Sequence, residues 1–219
     1  MRKIFTHKTV TLPELTAVHV DGKRYYITPS GARYMSVSTV VGSLNKQAVA
    51  EWRARVGEEE ARKISGAATT FGTSIHKIIE DYIDNKEGWL DFAKPKEKII
   101  FNAAKETLDR IDNVYCQEGT LYSDVLRLAG RVDCIAEFDG IPSIIDFKTS
   151  SKEKREEWIT SYFLQTTAYS LAFQELTGIS IPRIVILVMT SDGIIQTFIK
   201  NRKDYYKQLK EVILETRRN

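Results

Sequence analysis

The chain has 219 residues, of which 42% are hydrophobic and 28% charged, with a formal net charge of +3, and this size corresponds to one globular domain. Twelve glycines and five prolines exclude collagen-like and low-complexity chains, and no apolar run approaches a membrane span or the core of a signal peptide. We therefore expect a protein of the cytoplasm, bacterial or of a phage-infected host, whose isoelectric point of about 8.7 is compatible with a nucleic-acid partner without deciding it.

The chain contains two cysteines, Cys116 and Cys134. Two thiolates cannot complete a four-cysteine zinc or iron–sulfur site, so neither centre is expected. Because no export signal precedes them, we expect free thiols rather than a disulfide.

The first half of the chain is predicted to be a hairpin followed by helices. Asp21-Gly22 is a turn pair that favours a hairpin over 17–27, followed by a turn at 29–31, while 36–45 is short and mixed. Composition and apolar periodicity predict helices over 47–64, 68–84 and 96–112, with Gly66 as the break between the first two.

The second half changes to strands. The pattern predicts strands over 115–128, 130–138 and 141–149, a helix over 153–177 ended by Gly178, strands over 183–190 and 194–200, and a closing helix. This order indicates a single α/β domain over 1–219. Residues 1–66 would form an N-terminal hairpin and helical addition, 67–200 an αβββαββ core and 201–219 the C-terminal helix.

A tight hairpin pairs two aspartates in the core. Asp139-Gly140 centres the turn, so residues whose numbers sum to 279 should face each other, and Asp133 should lie opposite Asp146. The two form a non-hydrogen-bonded pair with Cβ atoms ~4.5–5.5 Å apart. Lys148 lies two residues beyond Asp146 and points to the same face.

An Asp, Asp and Lys set suits phosphodiester hydrolysis. Opposed carboxylates need a partner, and their oxygens prefer hard cations such as Mg²⁺ or Mn²⁺, while an ammonium group offsets transition-state charge. The alternative is a solvated sheet face with scattered charges. We favour the functional interpretation because the neighbouring Val132, Ile135, Ile144 and Ile145 indicate buried strands.

A histidine lies on the predicted helix 68–84. Gly72, His76 and Glu80 follow each other at intervals of four and share one helical stripe. His76 is a candidate metal ligand that Glu80 would support. Alone, a histidine at such a position is more often structural, and it gains weight only beside the hairpin.

Four segments, in this order, resemble the PD-(D/E)XK nuclease superfamily, specifically its RecB-like exonuclease branch. They are the G-x-x-x-H-x-x-x-E helix 72–80, the GxxD strand 130–133, the D-x-K strand 145–149 and the Q-x-x-x-Y helix 165–169. Residues 36–41 and 52–57 are also similar to mitochondrial genome maintenance exonuclease and its phage-type relatives. The resemblance implies a restriction-endonuclease-like core, in which helices flank a central mixed sheet. The sequence departs from some RecB-like nucleases in two ways: it lacks the cysteine cluster that holds an iron–sulfur centre, and it lacks a helicase segment.

The resemblance also implies roles for individual residues. His76, Asp133, Asp146 and the Phe147 carbonyl would hold Mg²⁺ or Mn²⁺, and Lys148 would be the catalytic lysine. Gln165 and Tyr169 would order the site or a DNA phosphate, or would instead form a core-facing stripe with Tyr162 and Ala172. Glu118 is a possible further carboxylate, but we expect a structural or solvent-exposed role.

Basic and aromatic residues are interleaved in the N-terminal part, a combination that suits a single-stranded channel. Any one of them is more often a solvent-exposed or core residue, but together they indicate a strand-guiding element. The candidates for DNA contact across the chain are Arg33, Trp52, Arg53, Arg55, Lys77, Arg131 and Thr149, with Arg24, Arg62, Lys63, Lys94, Lys96, Lys98, Tyr25, Tyr26 and Tyr34 as further members of the basic and aromatic set.

The sequence thus predicts a stand-alone, metal-dependent DNA exonuclease of replication, repair or recombination, acting on single-stranded DNA with a free end. Its expected partners are DNA and other replication or recombination proteins, and no association with a membrane is expected. The alternatives are a structure-specific endonuclease of the same fold and a catalytically silent DNA-binding module.

Overall fold

A mixed sheet of eight strands organises the protein, which the computed structural model describes from residue 3 to residue 218. Met1, Arg2 and Asn219, at the ends of the predicted N-terminal part and C-terminal helix, lie outside the described residues. The strands are β1 (Thr16–Val20), β2 (Lys23–Ile27), β3 (Arg33–Ser36), β4 (Ile111–Ser123), β5 (Leu128–Phe138), β6 (Ile141–Ser150), β7 (Arg183–Thr190) and β8 (Ile195–Asn201). The helices are α1 (Val37–Gly42), α2 (Lys46–Val56), α3 (Glu58–Ile83), α4 (Pro95–Leu108), α5 (Thr160–Thr177) and α6 (Tyr206–Arg218).

Two hydrophobic clusters cover the two faces of the sheet. One packs α1, α5 and α6 against the strands, and the other packs α3 and α4 against the opposite face. Strand β7 contributes alternate residues to each cluster, with Ile184 and Ile186 on one side and Val185 and Leu187 on the other. The predicted α/β class, with a central mixed sheet between helices, is therefore confirmed.

The strand order is β1-β2-β3-β5-β6-β7-β8, and β4 pairs with β5 outside this path. Because β4 pairs with both ends of β5, strands β3 and β6 must share the other edge of β5. Strand β3 pairs there in parallel with residues 128–129, and β6 pairs antiparallel with residues 134–138. The strand fork, our name for residues 130–133 of β5 between these two partners, is where the sheet opens.

The predicted hairpins are observed with their expected register. Strands β1 and β2 flank Asp21-Gly22. Strands β5 and β6 flank Asp139-Gly140 and pair from Phe138–Ile141 to Cys134–Ile145, always with the sum of 279. Asp133 and Asp146 are the next residues along the two strands, directly after the last observed pair and at the edge of the strand fork, and their own pairing stays a prediction.

The predicted break between the first two helices was misplaced. Gly57, with φ of +86°, separates α2 from α3, because glycine adopts this left-handed backbone without steric cost. Gly66 lies inside the continuous 26-residue helix α3, where a glycine costs about 1 kcal/mol but does not interrupt the hydrogen bonds. Within residues 3–218, none of the helices combines the length and apolarity needed to cross a bilayer.

Four other boundaries differ from the prediction. The mixed segment 36–45 contains α1, and α4 ends at Leu108 because β4 begins at residue 111. The turn before β5 lies at 124–127, where the Glu175 carboxylate of α5 accepts the Asp124 N–H. Helix α5 begins only at Thr160, since Gln196 of β8 bonds the backbone of Lys154 at both its N–H and its C=O.

Candidate active site

Side chains from both layers of the protein meet at the strand fork. Asp133 Oδ2 accepts the Phe147 N–H at 2.9 Å, so a side chain replaces the next backbone bond of the β5–β6 ladder. His76 approaches from α3 on one face, and Gln165 approaches from α5 on the other. The opening of the sheet lets His76 approach Asp133 from one face and Gln165 approach Asp146 from the other.

His76 is held by its own hydrogen bond. Its Nε2 lies 2.8 Å from the Phe147 carbonyl oxygen, which can only accept, so Nε2 carries the proton and Nδ1 of the neutral ring keeps its lone pair. Nδ1 lies 3.7 Å from Asp133 Oδ2. A histidine that donates to a backbone carbonyl with one nitrogen and presents the other is typical of metal sites. The Phe147 carbonyl, expected to be a ligand, here positions His76, and its ligand role stays a prediction.

Glu118 belongs to the same group of atoms. Ligand-type atoms of His76, Glu118 and Asp133 all lie within 4.8 Å of one another. Glu118 is partly buried and adopts a left-handed backbone with φ of +49°, which is uncommon for a residue other than glycine. Since Gln117 pairs with Cys134 and Gly119 with Val132, Glu118 stands opposite Asp133. Glu118 is thus partly buried beside Asp133 rather than solvent-exposed, and whether it is a ligand or structural stays a prediction.

Asp146 and Lys148 lie beside this cluster as a close ion pair. Asp146 is 1% exposed, its Oδ2 lies 2.5 Å from Lys148 Nζ, and its Oδ1 accepts from Gln165 Nε2 at 3.0 Å. Burial raises the pKa of the Asp146 carboxyl to about 7, although the Lys148 ammonium acts to lower it. Burial acts to lower the pKa of Lys148, but the charges of Asp146 and Asp133 outweigh it and hold that pKa above its usual value.

Two motif glycines mark close approaches around the site. A Cβ on Gly130 would lie 2.8 Å from the Tyr169 ring and hydroxyl, and a Cβ on Gly72 would lie 3.3 Å from Thr149 Oγ1. Tyr169 is 3% exposed, and burial raises its pKa well above the usual value. Glycine at these positions lets α5 and α3 approach the strands that carry the carboxylates.

Comparison with known proteins identifies the family. The model of the PD-(D/E)XK nuclease superfamily matches residues 105–218, just over half of the chain, and this range includes Asp133, Asp146, Lys148 and Gln165. The chain belongs to the PD-(D/E)XK nuclease superfamily. Divalent metal ions are generally used by nucleases of this superfamily.

The relatives of this PD-(D/E)XK chain are named exonucleases. Mitochondrial genome maintenance exonuclease 1 from Mus musculus is 25% identical over 107 residues, covering 47% of this chain and 32% of the mouse protein. The protein of that name from Homo sapiens is 26% identical over 140 residues, covering 59% of this chain and 39% of the human protein. The chain thus spans about a third to two-fifths of the length of these curated relatives.

A solved structure supports the fold. The structure named "Putative exonuclease" from Eubacterium rectale superimposes with a TM-score of 0.52 and 12% identity, covering 72% of this chain and 70% of that one.

The donor set of this PD-(D/E)XK site fits a hard divalent ion. One imidazole nitrogen and two carboxylates converge, with the Asp146 carboxylate adjacent. Carboxylate oxygens prefer hard divalent ions, and imidazole nitrogen also binds divalent transition-metal ions. Two of the three carboxylates contact a cation, since Arg131 Nε lies 2.8 Å from Glu118 Oε2 and Lys148 contacts Asp146. The Asp133 carboxylate, beside His76, is the one whose charge a bound cation would offset.

The active-site cleft, a cavity of about 460 Å³, opens over this cluster and is lined by several predicted residues. They include His76, Glu80, Lys77, Arg131, Gln165 and Tyr169. Glu80 pairs with Lys77 at 3.2 Å and is not part of the converging set of His76, Glu118 and Asp133. The N-terminal hairpin also reaches the cleft, because Arg24 lines it and donates to Ser38 Oγ at 2.7 Å.

The remaining predicted DNA contacts lie outside the residues that line the cleft. Arg33 lies on β3 over the Tyr25 ring at 5.2 Å. Trp52 and Arg55 lie on α2, which buries none of its residues. Arg53 lines a separate cavity of about 880 Å³ together with residues of α6. Their DNA contacts stay predictions.

Proposed function

We propose that this protein is a metal-dependent exonuclease that hydrolyses single-stranded DNA from a free end. The observation that carries the proposal is the convergence of His76, Glu118 and Asp133 within 4.8 Å beside the buried Asp146–Lys148 pair. Membership of the nuclease superfamily and relatives named exonucleases support the reaction class.

Each residue has a role that follows from its contacts. His76 Nδ1, Asp133 and Glu118 would hold Mg²⁺ or Mn²⁺, with Asp146 as the adjacent carboxylate. A bound ion of this type polarises a phosphate and lowers the pKa of a coordinated water. Lys148 would place its ammonium against the attacking water or a phosphate oxygen and offset the negative charge that develops there.

Two side chains of α5 would keep these groups in place. Gln165 fixes one oxygen of Asp146 at 3.0 Å, so the other oxygen stays directed at Lys148. Tyr169 packs against Gly130 and supports the strand fork from beneath. Gln165 contacts Asp146 and so fits the interpretation of an ordered site. Tyr169 lies in one hydrophobic cluster with Ala172 and Tyr162, as the alternative of a core-facing stripe expects, and its positioning role is part of the proposal.

The N-terminal part would guide the strand toward the cleft. Arg24 lines the cleft, and Arg33 with Tyr25 forms a cation–aromatic pair on the same hairpin. Basic groups pair with phosphates while aromatic rings stack on bases, which is the arrangement for an unpaired strand. The expected partners are therefore DNA and the proteins of replication, repair or recombination.

Digestion of labelled DNA tests the proposal. With Mg²⁺ or Mn²⁺ we expect stepwise shortening of 5′- or 3′-labelled linear single strands, no cleavage in EDTA, and resistance of circular single strands. Cleavage of circles as fast as of linear strands would instead identify an endonuclease. Binding without hydrolysis under any divalent ion would identify a silent DNA-binding module.

The pH dependence of metal binding follows from Asp146. Its pKa of about 7 in the folded protein means that the carboxyl holds a proton at pH 5.5 that a cation must displace, so affinity rises with pH up to about 8. At Asp146 the folded metal-free protein binds more protons than the unfolded chain between about pH 4 and 7, so the contribution of this carboxyl to the free energy of unfolding falls as pH rises through that window.

We therefore expect Mn²⁺ to raise the melting temperature more at pH 8 than at pH 5.5. Asp146→Asn removes this titrating group and should reduce the dependence, while Glu118, whose pKa burial also raises, retains its own share. An equal Mn²⁺ effect at both pH values in the wild-type protein would contradict the role of Asp146.

A further inference from the structure

A second cavity lies beside the active-site cleft. The aromatic groove, our name for this cavity of about 640 Å³, is lined by Thr69, Thr73 and Lys77 of α3 and by Trp89 and Phe92 of the loop between α3 and α4.

Phe92 is fully exposed, at 101% of its reference area. Single exposed apolar residues are normal on protein surfaces, so exposure alone indicates nothing. A fully exposed ring contributes no buried apolar area to the stability of the fold. Because this ring also lies at the rim of a groove, it is placed to contact a ligand bound there.

The loop that carries Phe92 is anchored. Trp89 packs against Tyr82 and Phe101, with ring centroids 5.1 and 6.3 Å apart. Two backbone turns follow, from the Asp91 N–H to the Gly88 carbonyl at 2.9 Å and from the Ala93 N–H to the Leu90 carbonyl at 3.1 Å. The ring is thus held out in solvent by an ordered loop, which reduces the entropy lost when a ligand binds it.

The aromatic groove is continuous with the active-site cleft. Thr73 and Lys77 line both cavities, and both lie on the single helix α3. Thr69 and Thr73 are four residues apart and present hydroxyl groups along one stripe of that helix. A chain that leaves the cleft across this stripe reaches Phe92.

Charges of both signs surround the groove, with Asp91 directly before Phe92 and two lysines shortly after it. Lys94 and Lys96 follow Phe92 on the exposed start of α4, and Lys96 Nζ lies 5.2 Å from the Phe71 ring. Asp81 is an acid in the groove lining, but Lys77 and Lys86 contact it at 2.9 and 2.6 Å. Lysines beside an exposed ring are the combination that binds the phosphates and bases of an unpaired strand.

We infer that the aromatic groove binds unpaired nucleotides of the substrate strand whose end lies in the active-site cleft, with a base stacked on Phe92. This inference rests on the proposed function, because it takes the cleft as the place where the strand is cut. The ligand is a single strand rather than a duplex, since only an unpaired base offers its face to the ring.

Binding of a fluorescein-labelled twelve-nucleotide oligothymidylate in EDTA tests the inference without cleavage. One stacked base is worth about 1–3 kcal/mol, so we expect Phe92→Ala to weaken binding by about 5- to 150-fold. Phe92→Tyr should retain the affinity because it keeps the ring. Val125→Ala, a change at a residue 79% exposed in the β4–β5 turn, is the matched control and should bind like the wild type.

Cleavage kinetics and melting temperature complete the test. Phe92→Ala should raise KM for the oligonucleotide, leave kcat unchanged and keep the wild-type melting temperature and Mn²⁺ affinity. Wild-type affinity of Phe92→Ala, or failure of Phe92→Tyr to restore a loss, would overturn this inference while leaving the nuclease activity in place. If the wild-type protein neither binds nor cuts single strands, the proposed function fails and this inference with it.

Discussion

Replacing Lys148 with methionine is expected to slow DNA cleavage by about 10²- to 10³-fold at saturating metal, the loss typical when one group that stabilises transition-state charge is removed. Lys148 Nζ lies 2.5 Å from Asp146 Oδ2, beside the place where the phosphate and water must meet. Methionine is one heavy atom shorter than lysine but keeps most of its apolar stem, so the substitution removes the ammonium, with its contact to the Tyr162 ring 5.2 Å away, and little of the stem volume.

The same substitution should destabilise the metal-free protein by about 3 kcal/mol, because it leaves the buried Asp146 carboxylate without its counter-charge. The double variant Asp146→Asn/Lys148→Met removes both charges and should recover much of that stability while remaining inactive. Chemical denaturation and single-turnover cleavage separate the two effects.

Lys152→Met, at an exposed lysine on the same segment, is the control and should match the wild type in both measurements. Cleavage by Lys148→Met at the wild-type rate would remove lysine from the proposed chemistry.

The register of the β5–β6 hairpin could be predicted because it depends on local signals alone. A turn pair at Asp139-Gly140 fixes which residues face each other, and the period of two along a strand then places Lys148 on the face of Asp146. The family motifs added His76, which the structure brings to Asp133, and Gln165, which it brings to Asp146.

The strand fork could not be predicted in this way. It exists because β3, nearly a hundred residues earlier in the chain, pairs in parallel with the start of β5, and no local pattern encodes such a long-range pairing. The predicted start of α5 and the predicted turn before β5 were wrong for the same reason, because side chains from β8 and α5, distant in the sequence, bond the backbone there.

The position of Glu118 opposite Asp133 could not be predicted from the sequence, because it depends on the backbone conformation of this residue. A strand residue in the extended region would alternate with its neighbours, but φ of +49° turns Glu118 out of that pattern. Such a conformation costs of order 1–3 kcal/mol and is concentrated at functional sites. A glutamate gives no indication in the sequence that its backbone is left-handed, whereas a glycine at this position would have suggested such a conformation.

Metal binding by Asp133→Asn and Glu118→Gln distinguishes ligation from local charge. Asp133→Asn keeps an oxygen that can accept the Phe147 N–H, so the fold should persist. Substituting a residue that only hydrogen-bonds a metal ligand typically lowers metal affinity about 10- to 100-fold. Removing a ligating carboxylate should cost more, so we expect the Mn²⁺ affinity of Asp133→Asn to fall about 100-fold or more. Glu118→Gln should lower it by about 10-fold or more.

Glu80→Gln provides the matched control, because Glu80 lines the same cleft but lies outside the converging set of His76, Glu118 and Asp133. Neutralising it removes the same charge without removing a ligand, so Mn²⁺ affinity should change little. Free Mn²⁺ measured by electron paramagnetic resonance gives the three affinities directly, and melting temperatures verify folding. Equal losses of Mn²⁺ affinity in Glu80→Gln and Glu118→Gln would contradict a ligand role for Glu118. They would mean that the total negative charge of the cleft, and not the left-handed backbone that turns Glu118 toward Asp133, determines how tightly the cation binds.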